Sequence, residues 1–222
     1  MNELLHRKKI RTEHEVKLRL PESLDWALLE PARALAYWDL AGAMVLDQIT
    51  TYFDTTNFAL AHSQALLKFV THAQPLDGRG WLMHKETLDW SGCIRHSLEL
   101  ATDVEASKVI AILSQTPPCL PVRRARDGIM DERAVFSECL RIRQERHKTW
   151  ARLSDGHAAE VSLDVVRLGD DVIDRFVELE VDGSDADCFA ALERLADHYI
   201  TGLRLAPVMD SKYEVALAAQ HR

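Results

Sequence analysis

Cysteine is scarce in this 222-residue sequence and never clustered. Cys93, Cys119, Cys139 and Cys188 stand far apart, with no Cys-x-x-Cys pair and no local His/Cys group. That spacing excludes the common zinc motifs and a disulfide framework, and a reducing cytoplasm is the expected compartment. Long apolar runs are missing too: none approaches the roughly 18 residues of a membrane span. The basic N-terminal stretch Met-Asn-Glu-Leu-Leu-His-Arg-Lys-Lys-Ile-Arg lacks the apolar segment of a signal peptide, so neither export nor a membrane partner is expected. Positive charge is in deficit, 27 Lys and Arg against 35 Asp and Glu, for a net charge of −8. An acidic chain of this kind argues against general binding to nucleic acid or membrane surfaces, although cations that converge locally can still hold an anion. Internal repeats and domain linkers are also absent. One domain over residues 12–217 is expected, with a lead-in at 1–11 and a tail at 218–222.

What is present is ordinary in amount, 47% hydrophobic and 28% charged residues, enough for a sizeable core. The order of the residues is less ordinary. Residues 12–20 read Thr-Glu-His-Glu-Val-Lys-Leu-Arg-Leu. Successive side chains on a strand point to opposite faces, so Glu13, Glu15, Lys17 and Arg19 share one face and His14, Val16, Leu18 and Leu20 the other. Taken alone, the charged face fits a solvated edge strand. It also fits a site that holds a divalent cation beside a polyanion.

Along the rest of the chain, residues 22–45 have helical spacing, with Ser23 as a cap and Pro31 dividing two helices. Residues 48–53, 65–72, 81–87 and 93–100 read as strands. Turn chemistry separates them at Asp54-Thr55-Thr56-Asn57, Asp77-Gly78-Arg79-Gly80 and residues 89–92. Four strands joined by short turns indicate an antiparallel meander. A helix is expected over 103–113. Residues 115–131, with three prolines and Arg123-Arg124-Ala125-Arg126, read as a solvated loop. Strands follow at 140–153, 158–164 and 176–181, ended by Gly183-Ser184-Asp185. An amphipathic helix is expected over 186–200, with Phe189, Leu192, Leu195, Ala196 and Tyr199 on one face, and a short strand or helix within 207–217. The histidines are scattered and read as no metal site. Trp26, Trp38, Trp81 and Trp150 read as packing residues.

Several of these strands carry charge on the face that alternation assigns to an interior. Arg95 and Glu99 flank Ser97 on one face; Glu160, Ser162 and Asp164 share another, as do Glu178 and Glu180. Lys68 interrupts an apolar strand and Lys85 closes one. In a closed barrel interior positions alternate along every strand. A charged interior must be satisfied by water, metal or ligand, because unpaired buried charge is costly. Carboxylates among cations suggest a hard divalent ion with phosphate, Mg²⁺ being commonly completed by substrate phosphate oxygens.

These residues resemble the CYTH superfamily, also called triphosphate tunnel metalloenzymes, which includes class IV adenylate cyclases and thiamine triphosphatases. Glu13, Glu15 and Lys17 match its N-terminal Glu-x-Glu-x-Lys signature. Tyr52-Phe53-Asp54-Thr55 resembles its Tyr-Phe-Asp-Thr segment, and Leu67-Lys68 follows where the family has Leu-Arg. Lys85, then Arg95 and Glu99, fit the Lys strand and the Arg-x-Glu-x-Glu strand. Residues 160–164 and Glu178-Leu179-Glu180 resemble the two late acidic strands, and Ser211-Lys212-Tyr213-Glu214 the C-terminal Ser-Lys-Tyr-Glu. Three positions depart from the pattern. Val70 replaces the second Arg of a Leu-Arg-x-Arg strand, Ser97 a Glu, and His147 an Arg three residues before Trp150.

The resemblance implies an α+β, mainly antiparallel fold: an eight-stranded closed tunnel barrel flanked by helices. It implies catalytic roles for Glu13, Glu15, Lys85 and Arg95. It implies triphosphate binding by Lys17, Lys68, Lys85, Arg95, Arg146 and Lys212, with Arg141, Arg143 and Lys148 as rivals of Arg146. Mg²⁺ or Mn²⁺ would be held by Glu13, Glu15, Glu99, Asp164, Glu178 and Glu180. The implied reaction is attack of a metal-positioned water on the terminal phosphorus of inorganic triphosphate, thiamine triphosphate or a nucleoside triphosphate, weakened by the departures. A non-catalytic triphosphate- or polyphosphate-binding module and an adenylate cyclase are the alternatives. Family members are often dimers, so a homodimer is among the expected partners.

Overall fold

Glu13, Glu15 and Lys17 do share one face of a strand, and that face is the inside of a closed wall. The computed structural model describes residues 8–21, 40–73, 78–152, 158–182 and 186–220. Among them, eight long strands form one antiparallel barrel. They are β1 (Lys8–Arg19), β2 (Leu40–Asp54), β3 (Ala65–His72), β4 (Arg79–Ser91), β5 (Ile94–Glu105), β6 (Ser137–Arg152), β7 (Ala158–Leu168) and β8 (Asp171–Asp182). The order is β5-β4-β3-β2-β6-β7-β8-β1, and β1 pairs back onto β5 to close the ring. A two-residue strand, β9 (Ala206–Pro207), adds to the end of β1.

The wall is inverted relative to a barrel with an apolar interior. Its outer face carries much of the apolar residue set and is covered by helices. Val16, Leu18, Val161, Leu179 and Val181 pack against Leu192 and Leu195 of α4 (Ala186–Asp197) and against Tyr199 beyond it. On the opposite side Leu67, Phe69, Leu82 and Val104 pack against Val109 and Leu113 of α2 (Val109–Ser114) and Val122 of α3 (Leu120–Gly128). Each large apolar side chain so buried contributes about 1.5–3 kcal/mol. A third cluster, Tyr52, Leu140, Ile142, Val166 and Phe176, has the inward parity and meets Tyr213 and Ala216 of α5 (Lys212–Gln220). It plugs one end of the barrel with apolar contact and leaves the charged middle open.

Three expected elements differ. Residues 40–45, read as helix, begin β2 and pair with β6, Leu40 opposite Ala151 and Val45 opposite His147. A short run of small and apolar residues satisfies either period, and the neighbouring strand decides. Residues 103–105, read as the start of a helix, finish β5, where Arg79 Nε donates to Asp103 Oδ1 at 3.0 Å across the strand pair. Helix begins only with a 3₁₀ turn at Ala106–Lys108 and then α2.

The expected loop 115–131 contains α3. Pro121 sits in its first turn, where a missing N–H does no harm, and Val122 and Ala125 bury one face. The arginines are anchored as well. Arg124 donates to both Glu86 oxygens, and Arg126 donates to the carbonyls of Leu113 and Ala134. Gly80, expected in a turn, lies inside β4, where an added Cβ would stand 2.4 Å from the Val70 carbonyl oxygen.

The helices expected over 22–39, with Trp26 and Trp38, fall outside the described residues, as do Asp77 and Gly183-Ser184-Asp185. No helix among the described residues is long and apolar enough to cross a membrane.

Candidate functional site

Strand register assembles the interior. On β1, Arg11, Glu13 and Glu15 stand opposite Glu99, Ser97 and Arg95 of β5. On its other edge Glu13, Glu15 and Lys17 stand opposite Asp182, Glu180 and Glu178 of β8. Lys68 lies opposite Met83 and Tyr52, Lys85 opposite Glu99, and Arg146 opposite Asp164. Cross-strand partners share a face, so these side chains all point inward. All but Ser97, Asp164 and Asp182 line a cavity of about 220 Å³, which Lys212 and Ser211 enter from the start of α5. An adjoining cavity of about 240 Å³ shares Lys85 and Arg95 and is lined further by Trp90, Met209 and Asp210.

The ion pairs fall into three groups along the barrel. In the middle, Lys85 bridges Glu13 and Glu15, and Arg95 holds the other oxygen of Glu15. Towards the start of β1, the Arg11 guanidinium lies 2.8 Å from Glu13, 2.9 Å from Glu99, 2.7 Å from Glu180 and 3.1 Å from Asp182. Towards its end, Arg146 binds both oxygens of Asp164 at 2.8 Å and Glu178 at 2.5 Å. Lys212 reaches the same two carboxylates at 2.6 and 2.8 Å. Lys17 donates to the Asp210 carbonyl at 2.8 Å and stands 3.9 Å from Glu178. Lys148 pairs with Glu160 and lies over the Trp150 ring. Lys68 lines the cavity with no hydrogen bond or ion pair among the described residues.

Burial and neighbouring charge pull these groups apart. Burial, with Glu180 and Glu15 nearby, holds Glu13 well above the usual carboxylate range despite Lys85. Burial acts on Glu15 in the same direction, but Arg95, Lys85 and Lys17 together outweigh it and hold Glu15 well below that range. Burial lifts Glu180 to about 7, with Glu160 adding to it and Arg11 opposing. Burial lowers Lys17 to about 8, and lowers Lys68 against the attraction of Glu99. Asp164 is depressed, because Arg146 and Lys212 overcome its burial.

The recurring motifs divide into inward groups and scaffolding. In Ser211-Lys212-Tyr213-Glu214 the Ser211 N–H donates to Glu214 Oε2 at 2.6 Å, and the Glu214 N–H donates to Ser211 Oγ at 3.1 Å. This reciprocal cap starts α5 and aims Lys212 into the tunnel. Tyr213 stacks on Tyr52 with ring centroids 4.9 Å apart. Asp54 accepts the N–H groups of Thr55, Leu60 and Ala61, which fixes the turn into α1 (Ala59–His62).

All the residues named from sequence, Glu13, Glu15, Lys17, Lys68, Lys85, Arg95, Glu99, Arg146, Asp164, Glu178, Glu180 and Lys212, lie on the inward face. Of the rivals of Arg146, Arg141 and Arg143 carry the outward parity and pair with Glu138 and Asp47. Lys148 shares the inward parity. Arg11 belongs to the site but was placed in a lead-in; one further step of the same alternation reaches it. Trp81, read as a packing residue, lines the cavity and is 37% exposed.

The departures separate by position. Val70 lines the cavity and Ser97 is fully buried beside Glu13, its hydroxyl without a partner. His147 has the outward parity, so it does not stand where a tunnel arginine would.

The expected metal ligands do not form one cage. Among the described residues no three His, Cys, Asp or Glu side chains are arranged to hold a metal ion. The six carboxylates are divided among the three groups above, each against Arg or Lys.

No family model matches the sequence, and no curated protein matches it. Solved structures do match the fold. A Hippeastrum protein named for adenylyl cyclase and described as having dominant triphosphatase activity is 19% identical, with a TM-score of 0.64 over 93% of this chain and 96% of its own. A Vibrio parahaemolyticus protein named for adenylate cyclase is 14% identical, with a TM-score of 0.58 over 92% and 97%. A Pyrococcus horikoshii protein is 14% identical, with a TM-score of 0.54 over 93% and 97%. The chain thus shares the closed, eight-stranded antiparallel tunnel fold of these structures.

Proposed function

We propose that this tunnel binds the triphosphate group of a small molecule and hydrolyses its terminal phosphoanhydride. The observation that carries the reading is the convergence of Lys17, Lys68, Lys85, Arg95, Arg146 and Lys212 on one cavity of about 220 Å³, with Lys68 in no ion pair among the described residues. The description of the Hippeastrum protein as a triphosphatase supports it.

A triphosphate entering the cavity meets Lys68 directly. The remaining cations exchange part of their contact with carboxylates for charge-assisted bonds to phosphate oxygens. Fixed cations around the terminal phosphoryl group stabilise the charge that spreads over its oxygens as the bond to the leaving group breaks. Glu180, lifted to about 7, has the proton affinity to accept a proton from the attacking water near neutral pH. Glu15, held ionised, keeps Lys85 and Arg95 aimed at the cavity. Mg²⁺ or Mn²⁺ would supply Lewis-acid charge to the phosphoryl oxygens. With Arg11 and Lys85 on the carboxylates, the residues as they stand do not fit a metal, and no step is routed through one.

The test is product analysis with inorganic triphosphate, thiamine triphosphate and ATP, each with and without Mg²⁺ or Mn²⁺. Release of orthophosphate is expected. Cyclic AMP as the product from ATP would make the protein a cyclase. Binding without any product would make it a binding module. Failure to bind any triphosphate overturns the reading.

A further inference from the structure

One part of the tunnel wall is apolar where the rest is mostly charged. On β3 the inward position beyond Lys68 is Val70, which stands opposite Trp81 of β4, while Lys68 itself stands opposite Met83. Val70, Trp81 and Met83 all line the cavity of about 220 Å³ that holds the cations. Trp81 is 37% exposed, so this apolar part opens to solvent. Inorganic triphosphate gains nothing from such a surface, because its oxygens seek cations and hydrogen-bond donors.

An independent observation comes from β6. Gln144 lines the same cavity and is only 5% exposed, yet its amide makes no hydrogen bond among the described residues. The same holds for Gln48, its cross-strand partner on β2. A buried amide without a partner is costly. An amide also carries both donor and acceptor, whereas phosphate oxygens only accept and would use half of it. The full match is a ring edge with an amino group beside an acceptor nitrogen, as glutamine matches adenine.

We propose that Trp81 and Gln144 form a subsite for a planar heteroaromatic ring carried on the triphosphate. The ring lies against the Trp81 indole, with Met83 beside it, and its hydrogen-bonding edge meets the Gln144 amide. Stacking accepts any flat ring, and the amide selects among rings by their edges. The cations hold the phosphates, so the subsite sets the preference among triphosphates. The substrate class is an organic triphosphate, from which hydrolysis leaves an organic diphosphate. An adenine nucleotide and thiamine triphosphate both carry a ring edge of this kind. The proposal rests on the triphosphate reading for the other end of the ligand.

The experiment is titration calorimetry of the full chain with inorganic triphosphate, the β,γ-methylene analogue of ATP and thiamine triphosphate, each with and without Mg²⁺. Wild type is compared with Trp81→Leu, Trp81→Phe and Gln144→Leu. Trp81→Leu and Gln144→Leu are each expected to weaken a ring-bearing ligand about tenfold relative to inorganic triphosphate. Trp81→Phe keeps an aromatic face and is expected to lose about threefold or less. The ligand that shows the selective loss identifies the ring as that of the nucleotide, of thiamine, or of either. A ratio that Trp81→Leu or Gln144→Leu leaves unaltered, as an equal loss for all three ligands would, overturns the subsite and leaves the triphosphate reading standing. If the wild type binds none of the three, both fall. If the variants do not fold, tryptophan fluorescence of the wild type decides. Quenching by a ring-bearing ligand beyond that by inorganic triphosphate supports stacking on Trp81, and equal quenching overturns it.

Discussion

Arg146 and His147 are consecutive in sequence and lie on opposite sides of the barrel wall. Arg146 is inside, bound to Asp164 and Glu178. His147 is outside, its side chain 40% exposed and Nε2 2.8 Å from Glu145 Oε1. A one-residue step along a strand reverses every side chain, so His147 cannot stand in for a tunnel cation.

His147→Ala is therefore expected to leave triphosphate affinity, and its dependence on pH between 5 and 8, unchanged to within about twofold, as for a surface substitution. Titration calorimetry at several pH values checks this. A loss confined to low pH would place His147 at the site.

Lys68 carries a charge inside the tunnel with no hydrogen bond or ion pair among the described residues, and the attraction of Glu99 at longer range only partly offsets its desolvation. Lys68→Met should leave stability to urea equal or improved, because a partly desolvated cation with no ion pair among the described residues is removed. The same change should weaken inorganic triphosphate binding by about tenfold or more, the value of one charge-assisted hydrogen bond at about 1.5–3 kcal/mol. Lower stability with unchanged affinity would make Lys68 a structural residue.

Val70 stands two residues from Lys68 on the same inward face, opposite Thr50 and Trp81. Val70→Arg extends a guanidinium into the cavity and is expected to tighten triphosphate binding by about tenfold. An unchanged affinity in a folded variant would mean that the bound phosphates stop short of this part of the tunnel. Ser97→Glu, in contrast, would add a carboxylate beside Glu13, whose proton affinity burial and like charge already raise.

His84 is fully buried on the outer face of β4, and neither ring nitrogen has a hydrogen-bond partner among the described residues. Burial lowers its pKa from 6.5 to about 4. The unfolded chain therefore binds a proton between these values while the folded chain does not. The stability from a neutral His84 is complete above pH 6.5 and is lost as pH falls towards 4. The loss amounts to about 2–3 kcal/mol by pH 4.5. His84→Leu should flatten this acid limb in urea unfolding measured from pH 7.5 to 4.5. An unaltered slope would show that other groups set it.

The alternation in residues 12–20 by itself determined that Glu13, Glu15 and Lys17 share a face, because strand geometry requires it. The same rule grouped Arg95 with Glu99 and Glu178 with Glu180, and the short turns of the first half ordered β2 to β5 as neighbours. Ser211 and Glu214 likewise lie three residues apart and cap α5 as a local pair. Closure of the barrel decided the rest. Whether a charged face looks into water or into a tunnel depends on β1 pairing with β5, 80 or more residues away. The distinction between Arg146 and Arg141 or Arg143 was open until the register of β6 against β7 was known. Residues 40–45 became strand because β6 offered them hydrogen bonds, and 120–128 became helix because the outer wall offered Val122 and Ala125 a surface. Above all, the sequence showed acids and bases on inward faces but not which acid meets which base. Arg11 with Glu99 and Glu180, and Lys212 with Asp164, are contacts between distant segments. Only the folded wall brings them within bonding distance.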